Sequence, residues 1–321
     1  MIKKALITGV SGQDGSYLSE HLLSENYEVH GILRRHSVAE NQDVRINNLE
    51  VETHYGDLTD EVSLYKIIKK VKPDEIYNLG AMSHVGISSH MPSFTIKTNS
   101  LSLISLLEFT KEMVPNCKVY QASSSEMFGN SIDKDGFQRL STPMNPVSPY
   151  GCSKVMAYNL VRFYRQAYSK FYCNGILFNH ESPRRGSNFV TNKVVKSIAM
   201  IKKNKMKKLE LGNLDSQRDW GHSKDYVKAM HLIMQYNEAR DWIVSTGQTR
   251  SIRDFCKYAF ELVGLNYLDY VVQNDKFKRP LELDVLRGDS SETRQVLNWQ
   301  PRYSFESMIE EMMNYWMDRI N

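Results

Sequence analysis

The chain has 321 residues, 41% of them apolar, 11% aromatic and 24% charged. That mixture excludes a disordered tail, a collagen, a coiled coil and a mucin-like stalk, and the length suits about two domains. With 41 basic and 37 acidic side chains the net charge is +4, too small over this length to imply a field that attracts nucleic acid or a membrane surface.

Short apolar runs at 5–8, 28–33, 51–55, 75–79, 118–122, 172–178 and 242–244 are expected to be strands. Helix-period segments at 17–25, 62–71, 100–113 and 150–169 alternate with them. This alternation predicts βαβ units and an α/β fold, a Rossmann-type doubly wound parallel sheet covered on both faces. Ligands of such sheets lie beyond the carboxyl ends of the strands. The last eighty or so residues carry helical segments at 252–263 and 305–320 and turn signals at Gly264, Pro280, Gly288 and Pro301. They are expected to form, with the stretch around 181–214, a smaller and mostly helical substrate-binding lobe. The larger lobe would then comprise 1–180 and about 215–247.

The longest charge-free stretch, 76–96, is interrupted by His84, Gly86, His90 and Pro92, so no membrane span is expected. The start of the chain runs too soon into Gly9 for a secretory signal. Cys117, Cys152, Cys173 and Cys256 are far apart and read as reduced, mostly packed thiols of a cytoplasmic protein. The nine histidines show no metal-ligand spacing, and no metal is expected.

The first strand runs into Thr8-Gly9-Val10-Ser11-Gly12-Gln13-Asp14-Gly15 and then a helix. Gly9 suits a tight turn, Gly12 lets the backbone approach a pyrophosphate, and Gly15 lets helix and strand pack closely; the helix N-terminus faces the anion. The second strand ends in Arg34-Arg35-His36-Ser37, with no acid to bind a ribose diol. Two guanidiniums there favour NADP over NAD, although they would also suit a solvated surface pair. Asp57 and Leu58 follow the third strand and Leu79, Gly80, Ala81 and Ser83 the fourth; Asp57 suits either an adenine contact or a turn.

Tyr150 and Lys154 are four apart near the start of a helix and project from one face. The lysine ammonium, the helix N-terminus and a bound nicotinamide are all expected to lower the phenol's pKa, so that Tyr150 accepts a proton from a sugar hydroxyl. The fifth strand ends in Ser123-Ser124-Ser125-Glu126. Ser124 can hydrogen-bond the same hydroxyl. Glu126 suits a base for a proton beside a new carbonyl, or alternatively a capped turn or salt bridge.

Jointly these segments resemble the extended short-chain dehydrogenase/reductases, and more narrowly the GDP-mannose 4,6-dehydratase family. The most specific matches are Asn179-His180-Glu181-Ser182-Pro183-Arg184-Arg185-Gly186 and Arg218-Asp219-Trp220-Gly221-His222. The resemblance implies an NADP-dependent homodimer or homotetramer that converts GDP-mannose to its 4-keto-6-deoxy form, with Ser124, Glu126, Tyr150 and Lys154 catalytic. It adds Phe94, His180 and Arg185 to the cofactor site. It assigns Ser83, Ser124, Glu126, Asn179, Lys193, Arg218, Arg279 and Glu282 to the substrate. The family commonly has Thr at Ser124, Tyr at Phe94 and often Gln at Met82. A dehydratase or 4-keto reductase of a related nucleotide sugar, such as a GDP-heptose, and a non-catalytic dinucleotide-binding protein remain alternatives.

The run Lys202-Lys203-Asn204-Lys205-Met206-Lys207-Lys208 reads as a solvated helix end, not a nucleic-acid patch. Met308, Met312, Met313 and Trp316 read as a packed helix face, with a subunit contact as one place for it.

Overall fold

The computed structural model describes residues 2–35, 43–277 and 281–320. The chain begins with β1 (Lys4–Thr8), α1 (Gln13–Ser24), β2 (Glu28–Leu33), β3 (Val51–Tyr55), α2 (Glu61–Val71) and β4 (Glu75–Asn78). Two short helices follow, α3 (Val85–Ser88) and α4 (Pro92–Ile96), then α5 (Ser102–Met113), β5 (Lys118–Ser124), α6 (Pro149–Ala167) and β6 (Tyr172–Leu177). Next come β7 (Asn179–Glu181), α7 (Val190–Lys202), β8 (Leu209–Leu211), β9 (Gln217–His222), α8 (Ser223–Gln235) and β10 (Asp241–Val244). The chain ends with β11 (Thr249–Ser251), α9 (Ile252–Glu261), β12 (Val271–Gln273), β13 (Val285–Leu286), α10 (Ser291–Leu297) and α11 (Phe305–Arg319).

Seven strands form one parallel sheet in the order β10-β6-β5-β4-β1-β2-β3. The chain winds outward from β1 to β3 and then restarts at β4 on the other side. The β1/β4 boundary is therefore the switch point, where a crevice opens beyond the strand ends. Both faces are covered, which is why β1 is apolar without alternation. Ala5 and Ile7 pack toward α1 and α8, whereas Leu6 packs into the opposite layer with α2, α5 and α6.

The smaller lobe has its own core, in which Val194, Ile198, Trp220, Phe255, Phe260, Met308 and Met312 meet. Met308, Met312 and Met313 are fully interior, so that face of α11 is packed within the chain. The lobe also holds strands the helical reading leaves out. β9 pairs with β11, β13 and β7, and β12 with β8. Most of these strands have two or three residues, too short to show a period of two. β9 lies in the 215–247 stretch expected in the larger lobe, yet its pairing joins it to the small sheet, while α8 from the same stretch covers the large one.

Two boundaries move in ways that matter for the site. α1 starts at Gln13, not 17, so Gln13, Asp14 and Gly15 form its first turn. β5 runs on to Ser124, which places both Ser123 and Ser124 on the strand. Lys202, Lys203, Lys205, Lys207 and Lys208 are exposed at and beyond the end of α7. Cys117, Cys173 and Cys256 are buried thiols and Cys152 is exposed. Among the described residues no helix is long and apolar enough to cross a membrane.

Candidate active site

At the switch point the loops after β1 and β4 touch. Gly9 has φ +69°, and a Cβ on it would lie 2.8 Å from the Cα of Gly80. A Cβ on Gly15 would lie 2.3 Å from the carbonyl oxygen of Gly9. Gly12 caps α1 without a side-chain hydrogen bond, so the first N–H groups of the helix are left to an anion. This cradle fits the pyrophosphate of a dinucleotide. It is braced from below by a chain of side chains across three strand ends: Gly80 N–H donates to Thr8 Oγ1 (2.9 Å), Thr8 to Asn78 Oδ1 (2.7 Å) and Asn78 Nδ2 to Gln121 Oε1 (2.7 Å).

The side chains of Gln13 and Asp14 turn toward β7. Gln13 donates to the His180 carbonyl (3.1 Å) and accepts from Ser182 Oγ (2.8 Å). His180 donates from Nδ1 to the Phe178 carbonyl (2.8 Å) and from Nε2 to Asp14 Oδ2 (2.9 Å), and its ring stacks on Tyr226. Burial alone would push the His180 pKa down, but the Asp14 carboxylate outweighs it and holds the imidazole above its ordinary value. Burial alone would raise Asp14, and His180 with Arg185 outweighs that and holds the carboxyl below its ordinary range.

Arg34 and Arg35 follow β2 and are exposed. His36 and Ser37 lie outside the described residues, as does Arg279. Arg45, which the sequence reading overlooks, donates to the Ser11 carbonyl at 2.9 Å and so brings a further cation to the glycine turn. Asp57 Oδ1 accepts from the Thr59 N–H (2.8 Å) and hydroxyl (2.7 Å), the turn alternative. Leu58 packs beside Gly80, where a Cβ would lie 2.9 Å from it. Phe94 sits on α4, 36% exposed, and is not among the residues lining the cavity described next.

A cavity of about 730 Å³ opens beside the glycine turn, between the sheet and the smaller lobe. Asp14, Leu79, Ala81 and Ser83 line the end near the turn. Ser124, Glu126, Tyr150 and Lys154 line one wall. Asn179, His180, Arg185, Lys193, Arg218 and Glu282 line the rest. Gly9, Gly12, Gln13, Gly15 and Gly80 stand outside this space, around the switch point.

The catalytic wall follows from local rules. Ser148 accepts from the Gly151 N–H at 3.0 Å and Pro149 takes the first helical position, so α6 starts there. Tyr150 and Lys154 then lie one turn apart on the buried face. The Lys154 ammonium donates to the Ala122 carbonyl (2.7 Å) and sits 5.7 Å from the Tyr150 ring centre. Glu126 is buried on the short turn after β5, with its N–H donating to Ser124 Oγ at 3.3 Å.

The electrostatics of the tyrosine differ from the sequence expectation. Burial pushes the Tyr150 phenol up to about 12; a hydrogen bond from Ser124 opposes this, and the nearby Glu126 charge adds to it. Burial also pushes Lys154 down to about 8. The ammonium faces a carbonyl, not the phenol oxygen, so desolvation dominates.

The opposite wall carries cations. Lys193 donates to the Glu210 carbonyl (2.7 Å) above the Phe277 ring, and Arg218 donates to the carbonyls of Gln217 (2.8 Å) and Leu283 (3.0 Å). Arg185 lies over the Phe189 ring, with Nε 3.1 Å from Glu181 Oε2.

Two further residues escaped sequence reasoning. Asn99, on a π-helical turn at Lys97–Leu101, accepts from the Met82 N–H (2.8 Å) and donates to the Met82 carbonyl (3.1 Å) and Ser153 Oγ (3.0 Å). It ties the loop after β4 to the helix of Tyr150 and Lys154. His84 caps α3 and packs on Phe189 across the cavity; its only signal is its place directly after Ser83.

A family model described as GDP-mannose 4,6 dehydratase matches residues 6–312. The chain is 43% identical to the GDP-mannose 4,6 dehydratase of Drosophila melanogaster, over 97% of this chain and 85% of that one. It is 41% identical to that of Vibrio cholerae, over 98% and 93%. In fold it is similar to RMD from Pseudomonas aeruginosa complexed with NADPH, with TM-score 0.82 and 21% identity over 100% and 99% of the two chains. The Thermus thermophilus UDP-glucose 4-epimerase complexed with NAD gives TM-score 0.86 at 20% identity, over 98% of each.

Proposed function

The chain belongs to the GDP-mannose 4,6-dehydratase family, and from that premise we propose that it converts GDP-mannose to GDP-4-keto-6-deoxymannose with bound NADP. The observation that carries this reading is a buried carboxylate, Glu126, on the same cavity wall as Ser124, Tyr150 and Lys154. Oxidation of an alcohol alone has no use for that carboxylate; removal of a proton beside a ketone has.

NADP, when bound, supplies the acceptor for the C4 hydride and the donor that returns it to C6. The glycine turn from Gly9 to Gly15 would hold its pyrophosphate, with Leu79, Gly80 and Ala81 against it. Arg34 and Arg35, after β2, would hold its extra phosphate. Tyr150 would take the C4 hydroxyl proton, with Ser124 hydrogen-bonded to the same oxygen. Its high pKa in the free protein keeps it protonated, and so unable to accept a proton, until positive charge is brought beside it, which ties proton removal to an occupied cofactor site. Lys154 would hold the phenolate as it forms. Glu126 would then remove the C5 proton, acidified by the C4 ketone, and pass it to the C6 hydroxyl, which leaves as water.

Ser83, Asn179 and Glu282 would bind the sugar nucleotide, and Lys193 and Arg218, which line the cavity and are held by backbone carbonyls, suit its pyrophosphate. Buried thiols support a cytoplasmic setting, and the family resemblance supports a homodimer or homotetramer, which sedimentation velocity reads directly. Incubation with GDP-mannose should yield a 4-keto-6-deoxy nucleotide sugar without net consumption of NADPH. Unchanged substrate, or product only with stoichiometric NADPH, would overturn the proposal.

A further inference from the structure

On the flank of the large sheet, β2 and β3 place His30 opposite Glu52 and Ile32 opposite His54. Residues two apart on a strand share a face, so His30, Glu52 and His54 converge although no short sequence spacing links the histidines. Both imidazoles are buried and stacked. His30 Nδ1 lies 3.1 Å from His54 Nε2 and 3.5 Å from Glu52 Oε2, and His54 Nε2 lies 3.7 Å from Glu52 Oε1. Three ligands at about 2.0–2.1 Å in a tetrahedron are about 3.4 Å apart. One ligand atom from each of the three residues lies within 4.8 Å of the others, and the two ring nitrogens, joined by a hydrogen bond that an ion would replace, already stand near that spacing.

The surroundings match a metal site as well. Glu28 Oε1 accepts from His30 Nε2 at 2.8 Å, which fixes the proton on Nε2 and turns the Nδ1 lone pair toward Glu52 and His54. Lys70 holds Glu52 Oε1 at 2.9 Å and leaves Oε2 for a ligand role. Glu52 is half exposed, so the remaining coordination position opens to water.

We propose that His30, Glu52 and His54 form a binding site for one divalent transition-metal ion of the zinc type, completed by water, that clamps the edge strand β3 to β2. Two imidazoles with one carboxylate suit zinc, cobalt or nickel better than magnesium or calcium. Among the described residues β3 is the last strand of the sheet and pairs only with β2 in it, so a metal link would act where the sheet has one neighbour to hold it.

The test uses the full-length, untagged, metal-stripped protein titrated with zinc chloride by calorimetry and with cobalt(II) by visible absorption. One ion per chain should bind, the cobalt form should show the intense bands of tetrahedral coordination, and zinc should raise the thermal midpoint. His54→Gln should weaken binding about 100-fold or more and Glu28→Gln about 10-fold. Glu52→Gln, at a half-exposed position, should keep the native circular dichroism and dehydratase activity while losing the zinc-induced thermal shift. Absence of saturable binding to the folded wild-type chain, or binding unchanged in both His54→Gln and Glu52→Gln, would overturn the proposal.

Discussion

On the wall built from β5 and α6, Lys154 is buried against a backbone carbonyl and Tyr150 against a hydroxyl and a carboxylate. At the end of the cavity near the glycine turn, half-buried Asp14 and buried His180 form an ion pair, and His180 makes a second hydrogen bond to the Phe178 carbonyl. Desolvation acts on both walls. On the first it prevails, lifting the phenol to about 12 and lowering the ammonium to about 8. On the second the partner's charge prevails, and both groups are more firmly ionised than in water. A wall whose charges are already matched can serve as scaffold, locking the glycine turn to β7. A wall on which burial sets the states of Tyr150 and Lys154 has states that a ligand can reset, as acid–base chemistry requires.

The sharpest way to break this contrast is Glu126→Gln, which keeps the shape and removes the base. Turnover should fall about 10²–10⁴-fold, while NADP binding, read by fluorescence titration, should be retained. Persistent turnover would remove Glu126 from the reacting wall. Lys154→Met should lower kcat about 100-fold. The difference titration of wild type minus Tyr150→Phe should place the phenol of the free protein near 12 and lower once NADP is added.

Asp14→Asn probes the matched wall. With its partner gone, burial together with the Arg185 charge prevails on His180, so its NMR titration should move from above 6.5 to below it. His180, raised on folding, contributes stability that is complete below 6.5 and lost as pH rises through its elevated value. Asp14, lowered on folding, contributes stability present above 3.8 and lost as pH falls through its depressed value. The wild-type advantage should therefore be largest between 3.8 and 6.5, at about 2 kcal/mol by denaturant unfolding. The smallest effect is expected for Asn99→Ala, which leaves both walls intact and loosens their support. A loss of about 1 kcal/mol, with kcat reduced more than KM is raised, would mark it as a positioning residue.

Some of this was legible in the chain. β2 and β3 fall on their expected residues because apolar runs bounded by turns are local signals. The start of α6 is written in Ser148-Pro149, and the spacing of Tyr150 and Lys154 settles their common face. The helix-period segments stop short of α7 and α8, and the small sheet leaves no sequence signal because most of its strands, with two or three residues, carry too little pattern. Asn99 sits on an irregular turn whose partners, Met82 and Ser153, lie on two other segments.

By itself, the sequence determined the strand–helix alternation, the glycine turn and the identity of the groups that could react, since steric preference, helical period and side-chain chemistry act over a few residues. The tertiary structure alone decided which of those groups are matched. Asp14 meets His180 across 166 positions, and His30 meets His54 through parallel register. Burial, a property of the packed molecule, moves Tyr150 opposite to the direction its neighbouring lysine suggests. Charge state in a protein depends on what surrounds a group in space, and folding brings those surroundings from distant parts of the chain.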